Sequence, residues 1–161
     1  MNRTRRPVGG FTLMELVVAL ALLGVLALVA LPMAELSWQR QREAQLRSAL
    51  REIRQALDAY KQAADGGLIA RSPGDSGYPP SLQVLERGVR NQKDAKGGVL
   101  VFLRRVPRDP FHPDPQVQPE LTWATRAYGS PPDEPREGRD VFDVASRSTR
   151  VGLNGIALRE W

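Results

Sequence analysis

A single carboxylate, Glu15, stands at the start of the longest apolar run in the sequence. Residues 16–31 carry no charge, and the uncharged run continues to Ala34. A carboxylate at the centre of a membrane span costs about 2.5–3.5 kcal/mol, and less near the interface. Because a neutral residue would cost less, Glu15 either marks the headgroup boundary or pairs with a positive charge. One such charge would be an α-amino group exposed on Phe11 of a neighbouring chain.

Other residue types that carry chemistry are sparse and scattered. The only histidine, His112, lies in a proline-rich stretch near Asp109 and Asp114, without the spacing of a metal site. The paired acids Asp133 and Glu134 fall in a predicted loop, with no pocket to shift their pKa values. There is no phosphate-binding glycine loop and no cysteine, which excludes disulfides, thiolate zinc sites and cysteine nucleophiles. We therefore expect a protein that is not an enzyme.

The net charge of +5 does not indicate nucleic-acid binding. Three arginines, Arg3, Arg5 and Arg6, precede the apolar run, so the chain after residue 10 carries only 5 − 3 = +2, with both signs interspersed. A nucleic-acid-binding surface needs a basic stripe, which this pattern lacks. Positive charge before a span instead indicates that this end stays in the cytoplasm. The pair Arg5-Arg6 also leaves open a twin-arginine export signal.

The apolar run is long enough to cross a membrane. Residues 16–34 form a 19-residue stretch interrupted only by Gly24 and Pro32. A helix needs roughly 20 such residues to span the bilayer. A cleaved secretory signal has an apolar core of about 7–15 residues, so a cut near Ala30 or Ala34 is the less favoured alternative.

Residues 10–16, GFTLMEL, with the arginine-bearing leader before them and the apolar run after them, resemble the class III signal of type IV pilins and secretion pseudopilins. The resemblance implies that a prepilin peptidase cuts between Gly10 and Phe11. It also implies that the new amino terminus of Phe11 is methylated and that Glu15 serves subunit assembly. Gly24 and Pro32 stand where that family often places a glycine and a helix-bending proline.

The helical pattern continues beyond the apolar run. Apolar residues recur at spacings of four and three, which predicts one buried helix face: Leu46, Leu50, Ile53, Leu57, Tyr60 and Ala64. The other faces carry charges that we expect to be solvated: Arg40, Arg42, Glu43, Arg47, Arg51, Glu52 and Arg54. Gly66 and Gly67 end the pattern. An unbroken helix over residues 12–64 would be about 80 Å long.

The remaining sequence predicts a small head with short elements. Residues 68–80 indicate a loop, and residues 82–86 a short helix that Ser81 caps. Residues 99–103 indicate a short strand or helix, and residues 121–128, 139–145 and 156–161 have strand composition. The fold class is therefore α+β, a pilin-like fold in which one long helix packs on a small antiparallel sheet.

The head is similar to the major pseudopilin of type II secretion systems, the general secretion pathway protein G type. The similarity lies in YPPSLQVL, FLRRVPRDPF, a tryptophan-bearing strand, DVFDVASRS and a terminal REW. That family commonly binds calcium in its last loop. Here residues 146–161 contain Arg147 and Arg150 and no acid before Glu160, so we expect no cofactor and no calcium, because calcium needs several carboxylates. We expect Arg147 or Arg150 to reach Asp140 or Asp143 instead.

The resulting organisation is a leader over residues 1–10, an assembly helix over 11–34, its amphipathic continuation over 35–66 and a periplasmic head over 67–161. The resemblance implies a pseudopilin, a single-pass inner-membrane protein that forms a periplasmic fibre with copies of itself and other pseudopilins. Its indirect partners would be a secretion ATPase, its membrane platform and an outer-membrane secretin. The alternatives are a type IV pilin-like subunit for adhesion, motility or DNA uptake, and a membrane-anchored enzyme or solute-binding domain.

Overall fold

One long helix dominates the secondary structure. The computed structural model describes residues 10–161, apart from the side chains of residues 29–32. Helix α1 covers Leu13–Asp65, which confirms the predicted helix to within one residue at each end, and its backbone stays helical through Pro32. The chain divides into two compact units, Met1–Gln39 and Arg40–Trp161.

In the first unit, the described apolar side chains of α1 are exposed. Leu20, Leu23 and Leu26 are between 61% and 65% accessible. Among the residues that the structure describes, α1 is the one helix long and apolar enough to cross a membrane. A helix that is apolar on all faces and uncovered by protein has the surface expected of a span in lipid.

In the second unit, α1 supplies one wall of the hydrophobic core. The predicted stripe is confirmed, because Leu46 and Ile53 are fully buried and Leu50 and Leu57 are at most 2% exposed. Burial of one such side chain contributes roughly 1.5–3 kcal/mol. The facing wall comes from residues that follow α1 in the chain: Ile69, Leu82, Leu85, Leu103, Val106, Trp123, Val141, Val144 and Leu158.

Two glycines end α1, as the sequence predicted. Gly67 has a φ of +70°, a left-handed conformation that glycine adopts without strain. The Leu68 N–H donates to the Ala63 carbonyl at 2.9 Å, and the Gly67 N–H donates to the Ala64 carbonyl at 3.1 Å. These two bonds form a Schellman motif and satisfy carbonyls that the helix leaves unpaired.

The head contains short elements and two separate sheets. Helix α2 covers Leu82–Arg87; Ser81 precedes it as predicted, but its side chain makes no capping hydrogen bond. Strand β1 (Val89–Arg90) pairs with β2 (Val99–Leu100), and β3 (Trp123–Arg126) pairs with β4 (Asp143–Ser146). Both pairings are antiparallel, with Trp123 opposite Ser146. The arrangement is α+β, with the sheet content divided between two ribbons.

The last predicted strand, residues 156–161, is wrong. A 3₁₀ helix covers Leu158–Glu160, and only an isolated bridge joins Val151 to Ala157. The strand cannot continue, because the Glu160 N–H donates to the Ala157 carbonyl at 2.9 Å and closes a 3₁₀ turn. The turn places Leu158 in the core with 1% exposure.

The charged faces of α1 are not uniformly solvated, contrary to the prediction. Glu43 is 4% exposed and accepts a hydrogen bond from the Leu153 N–H at 2.8 Å. Arg54 Nε donates to Asp143 Oδ1 at 2.8 Å, and Arg54 Nη2 donates to the main-chain oxygen of Trp161 at 2.7 Å. These residues fasten the end of the chain to α1.

The expected partners of Arg147 and Arg150 are also wrong. Arg147 donates to the Trp123 carbonyl at 2.9 Å and to Glu137 at 3.0 Å. Arg150 lies over the ring of Phe111, with 5.5 Å between its guanidinium carbon and the ring centroid. Asp143 forms an ion pair with Arg54 of α1. The local sequence around Asp143 gives no sign of this distant partner.

Candidate functional site

The start of α1 is organised by reciprocal hydrogen bonds between Thr12 and Glu15. Glu15 Oε2 accepts from the Thr12 N–H at 2.9 Å and from the Thr12 hydroxyl at 3.0 Å. The Glu15 N–H donates in turn to Thr12 Oγ1 at 3.2 Å. This is a capping box, in which a residue just before the helix and the third helical residue satisfy each other's backbone N–H groups.

The capping box gives Glu15 a local role that the sequence analysis missed. The spacing of a threonine followed three residues later by a glutamate, just before an apolar run, is itself a helix-start signal. It therefore could have been found from the sequence. A carboxylate near the N-terminus also interacts favourably with the helix dipole. Capping explains why a glutamate is tolerated here, but a neutral glutamine would cap equally well.

One oxygen of Glu15 stays available. The hydrogen bonds to Thr12 use Oε2, and Glu15 forms no ion pair with any cation among residues 10–161. A carboxylate can accept about four hydrogen bonds through its two oxygens. Oε1 can therefore bind an ammonium group from another chain while Oε2 holds the cap.

The predicted cleavage bond, between Gly10 and Phe11, lies outside the helix. Neither residue is helical, and Phe11 is 86% exposed. No atom outside the local chain lies within 4 Å of the position where Gly10 would carry a Cβ. A non-helical, uncovered peptide bond is one that a peptidase can take into its active site. The predicted leader charges, Arg3, Arg5 and Arg6, lie outside the described residues.

The residues considered for catalysis do not converge. Asp109 is 1% exposed and structural: its carboxylate accepts from Ser146 Oγ at 2.6 Å and from the Phe111 N–H at 2.8 Å. His112 Nδ1 lies 3.3 Å from the Asp114 carbonyl oxygen in an exposed turn. Asp109 and Asp114, although close in the sequence, therefore lie apart, one in the core and one at the surface.

The remaining acids also stay apart. Asp133 and Glu134 are exposed, and Glu134 pairs with Arg136 at 2.6 Å. Within residues 10–161, no group of three or more histidine, aspartate or glutamate side chains could hold a metal ion. The absence of a calcium site stays a prediction.

One cleft of the head is lined by all three tyrosines. Tyr60, Tyr78 and Tyr128 surround it together with Arg139 and Asp140. Burial raises the pKa of Tyr60 and of Tyr78 above the ordinary value of 10, and nearby aspartates add to the effect. Asp140 accepts a hydrogen bond from the Tyr128 N–H at 2.8 Å. The raised pKa keeps the phenols of Tyr60 and Tyr78 protonated at neutral pH.

The comparisons with known proteins concern the N-terminal segment. Residues 5–31 match the family model of the prokaryotic N-terminal methylation motif. No curated protein and no solved structure matches the chain significantly. The matched stretch covers 31 − 5 + 1 = 27 of 161 residues and includes Gly10, Phe11 and Glu15. This motif indicates a pilin-like or pseudopilin subunit that a prepilin peptidase processes.

Proposed function

We propose that the chain is a structural pseudopilin subunit of a type II protein secretion system. It is cut between Gly10 and Phe11, methylated on the Phe11 amino group and assembled through Glu15 into a periplasmic fibre. The observation that carries the proposal is the methylation motif of residues 5–31, with Glu15 at the start of a helix that can span a membrane. The role is mechanical, without catalysis by the subunit itself.

The geometry at the helix start supports processing and assembly. Gly10 and Phe11 are exposed and non-helical, so a membrane peptidase can reach the bond between them. Glu15 Oε1 can accept the methylated ammonium group of Phe11 from a neighbouring subunit. The attraction between these opposite charges would offset the cost of placing the carboxylate near the membrane interface.

The same segment supports the proposed location. Arg3, Arg5 and Arg6 precede the span and hold that end in the cytoplasm, so the second unit is periplasmic and the protein a single-pass inner-membrane protein. Five arginines also follow the span, between residues 40 and 54. They belong to a segment of more than 60 residues, however, and such segments cross the membrane largely regardless of charge.

Two features favour a secretion pseudopilin over a type IV pilin. The chain has no cysteine, whereas the last loop of a typical type IV pilin is often closed by a disulfide. The order of head segments, from YPPSLQVL to REW, resembles that of the major pseudopilin. The partners are then the prepilin peptidase, copies of the chain and other pseudopilins, with the secretion ATPase, its platform and the secretin acting indirectly.

The first test is the mass and N-terminal residue of the full chain, expressed with an active or an inactive prepilin peptidase. The proposal predicts a product that begins at methylated Phe11 only with the active enzyme. An uncut chain, or one cut near Ala30 to Ala34, would refute it.

Deletion of the gene separates the two machines. A pseudopilin is required for secretion, so its loss should trap folded exoproteins in the periplasm. Intact secretion with loss of a surface fibre would instead assign the chain to a type IV pilus.

A further inference from the structure

The cleft lined by the three tyrosines lies entirely within the second unit of the chain. Its lining residues fall between positions 60 and 140, and its volume is about 860 Å³. Sites for small molecules have volumes of roughly 300–1,000 Å³ and combine aromatic surface with a few polar groups. Tyr60, Tyr78 and Tyr128 supply the aromatic surface, and Arg139 and Asp140 are among the polar groups. The cleft therefore has the size and composition of a ligand site.

Tyr128 forms an aromatic platform at the cleft. The residue is 58% exposed, so much of its surface is free for contact. Its ring stacks on the ring of Tyr78, with 5.7 Å between the centroids, and meets Phe142 edge to face at 5.6 Å. Tyr78 and Phe142 also meet edge to face, at 5.0 Å. These ring contacts fix the orientation of Tyr128 before any ligand arrives.

The hydroxyl of Tyr60 has no hydrogen-bond partner among the described residues. Tyr60 is only 7% exposed, and its ring packs on Phe102 with 5.3 Å between the centroids. The hydroxyl is not sealed from solvent, because the indole nitrogen of Trp161 is the one buried and unpaired side-chain polar atom in the described part of the chain. Polar groups of buried side chains are normally paired. The Tyr60 hydroxyl can therefore serve a ligand in the cleft.

The charged side chains of the cleft cancel. Its lining contains two arginines and two aspartates, a net charge of 2 − 2 = 0. Arg139 is exposed and forms no hydrogen bond or ion pair with any residue that the structure describes. Asp140 uses Oδ1 to accept from the Tyr128 N–H. Asp75 uses Oδ2 to accept from the Ser72 N–H, so the second oxygen of each carboxylate stays available.

This combination of groups suits a sugar. A sugar hydroxyl both donates and accepts, so it can pair with a guanidinium, a carboxylate or a phenol. One face of a pyranose ring consists of C–H groups, whose partial positive charge suits the negative face of an aromatic ring. A proline-rich peptide, which also binds aromatic-lined grooves, fits less well, because proline has no N–H to donate to the aspartate oxygens.

We propose that this cleft binds a neutral oligosaccharide. One sugar ring stacks on Tyr128. Its hydroxyls donate to Asp75 and Asp140, and its oxygens accept from the other polar groups, Arg139 and the Tyr60 hydroxyl. Glycans of N-acetylglucosamine and of glucose share this chemistry. The inference goes beyond the proposed function and does not depend on it, because the cleft belongs to the head and needs neither N-terminal processing nor fibre assembly.

The tyrosines allow a direct test on the full chain, because the sequence has three and all of them line the cleft. Fluorotyrosine replaces all three, and fluorine NMR of the chain in a detergent without a sugar headgroup then reports on the cleft alone. Tyr60→Phe, Tyr78→Phe and Tyr128→Phe assign the signals. The probes are the tetrasaccharides of N-acetylglucosamine and of glucose, with a proline decapeptide in a separate titration.

We expect at least one tetrasaccharide to shift the Tyr60 and Tyr128 signals saturably, and the tighter of the two identifies the class of glycan. Tyr128→Ala should raise the Kd roughly ten-fold, because it removes the stacking and the apolar contact. Tyr60→Phe and Arg139→Met should each raise the Kd roughly five-fold, because each removes one hydrogen bond.

Two substitutions outside the cleft serve as matched controls. Arg104 is exposed, like Arg139, and forms no ion pair with any residue that the structure describes. Leu121 is 60% exposed, close to the 58% of Tyr128. Arg104→Met and Leu121→Ala should therefore leave the Kd unchanged.

Unshifted tyrosine signals up to the solubility limit of both tetrasaccharides would overturn the inference. Binding that is unchanged in Tyr60→Phe and Arg139→Met, or weakened equally by the controls, would also overturn it. A shift caused by the proline decapeptide alone would overturn it and assign the cleft to a protein partner. Failure of processing at Phe11 with normal sugar binding would count only against the proposed function.

Discussion

Glu15→Gln separates the two things that the Glu15 side chain can do. Its Oε2 accepts from the Thr12 N–H and hydroxyl at 2.9 and 3.0 Å. A glutamine oxygen can accept the same N–H, because capping boxes use glutamate and glutamine alike. The substitution therefore keeps the helix cap and removes the charge. Thr12→Ala does the reverse, since it removes the capping hydroxyl and keeps the carboxylate.

The two variants should differ strongly in fibre assembly. Loss of a capping side chain costs about 1 kcal/mol, so Thr12→Ala should lower the equilibrium for assembly roughly five-fold. Removing one partner of a desolvated charge pair leaves the other charge unpaired, so Glu15→Gln should lower the same equilibrium by roughly 30-fold or more.

The assay is the fraction of processed subunit that is recovered in sheared or cross-linked fibres, with prepilin peptidase present. The mass of the N-terminal peptide serves as the control, because both variants should still begin at Phe11. Normal assembly of Glu15→Gln together with a larger defect in Thr12→Ala would refute the ion pair. Glu15 would then be a helix cap and nothing more.

Three further predictions concern the head and are measured by denaturant unfolding of the full chain in detergent. Asp109→Ala should lower the free energy of unfolding by about 3 kcal/mol, because it leaves the buried Ser146 hydroxyl without its acceptor. Adding Ser146→Ala to the same chain should recover part of the loss. Strictly additive effects of the two substitutions on the free energy of unfolding would contradict the hydrogen bond. Arg54→Met should lower the free energy of unfolding by about 2 kcal/mol, because it removes half-exposed hydrogen bonds to Asp143 and to the main-chain oxygen of Trp161. An unchanged denaturation midpoint would show that these bonds do not contribute to stability. Burial raises the pKa of Tyr60, so the stability contributed by its protonated phenol is complete below pH 10 and is lost as the pH rises through the higher folded-state pKa. Tyr60→Phe should reduce this loss of stability at alkaline pH. An identical dependence of stability on pH in the variant would contradict the prediction.

The parts of the fold that could be predicted from the sequence depend on local and periodic patterns. The spacing of Leu46, Leu50 and Ile53 identified the buried face of α1, because a helix repeats every 3.6 residues. Gly66 and Gly67 gave the helix end, since a left-handed residue there favours glycine. The predicted cleavage bond at Gly10 rests on a motif of adjacent residues. The Thr12–Glu15 cap is equally local and could be predicted in the same way.

The features that the sequence did not predict depend on contacts between residues far apart in the chain. Glu43 meets Leu153 across 110 residues, and Arg54 meets Asp143 across 89. A helix-face pattern cannot distinguish such a buried charge from a solvated one, because its partner comes from a distant loop. The strand composition of residues 156–161 was likewise overridden by a tight turn that buries Leu158.

The order in which the core residues are synthesised has a consequence for the nascent chain. The buried stripe of α1 is complete at Ala64, whereas Leu158, which packs into the same core, comes 158 − 64 = 94 residues later. At about 5–20 residues per second, roughly 5–19 s separate the two events. Throughout this interval the leucines of α1 are only partly covered, and a holding chaperone would find its binding site there.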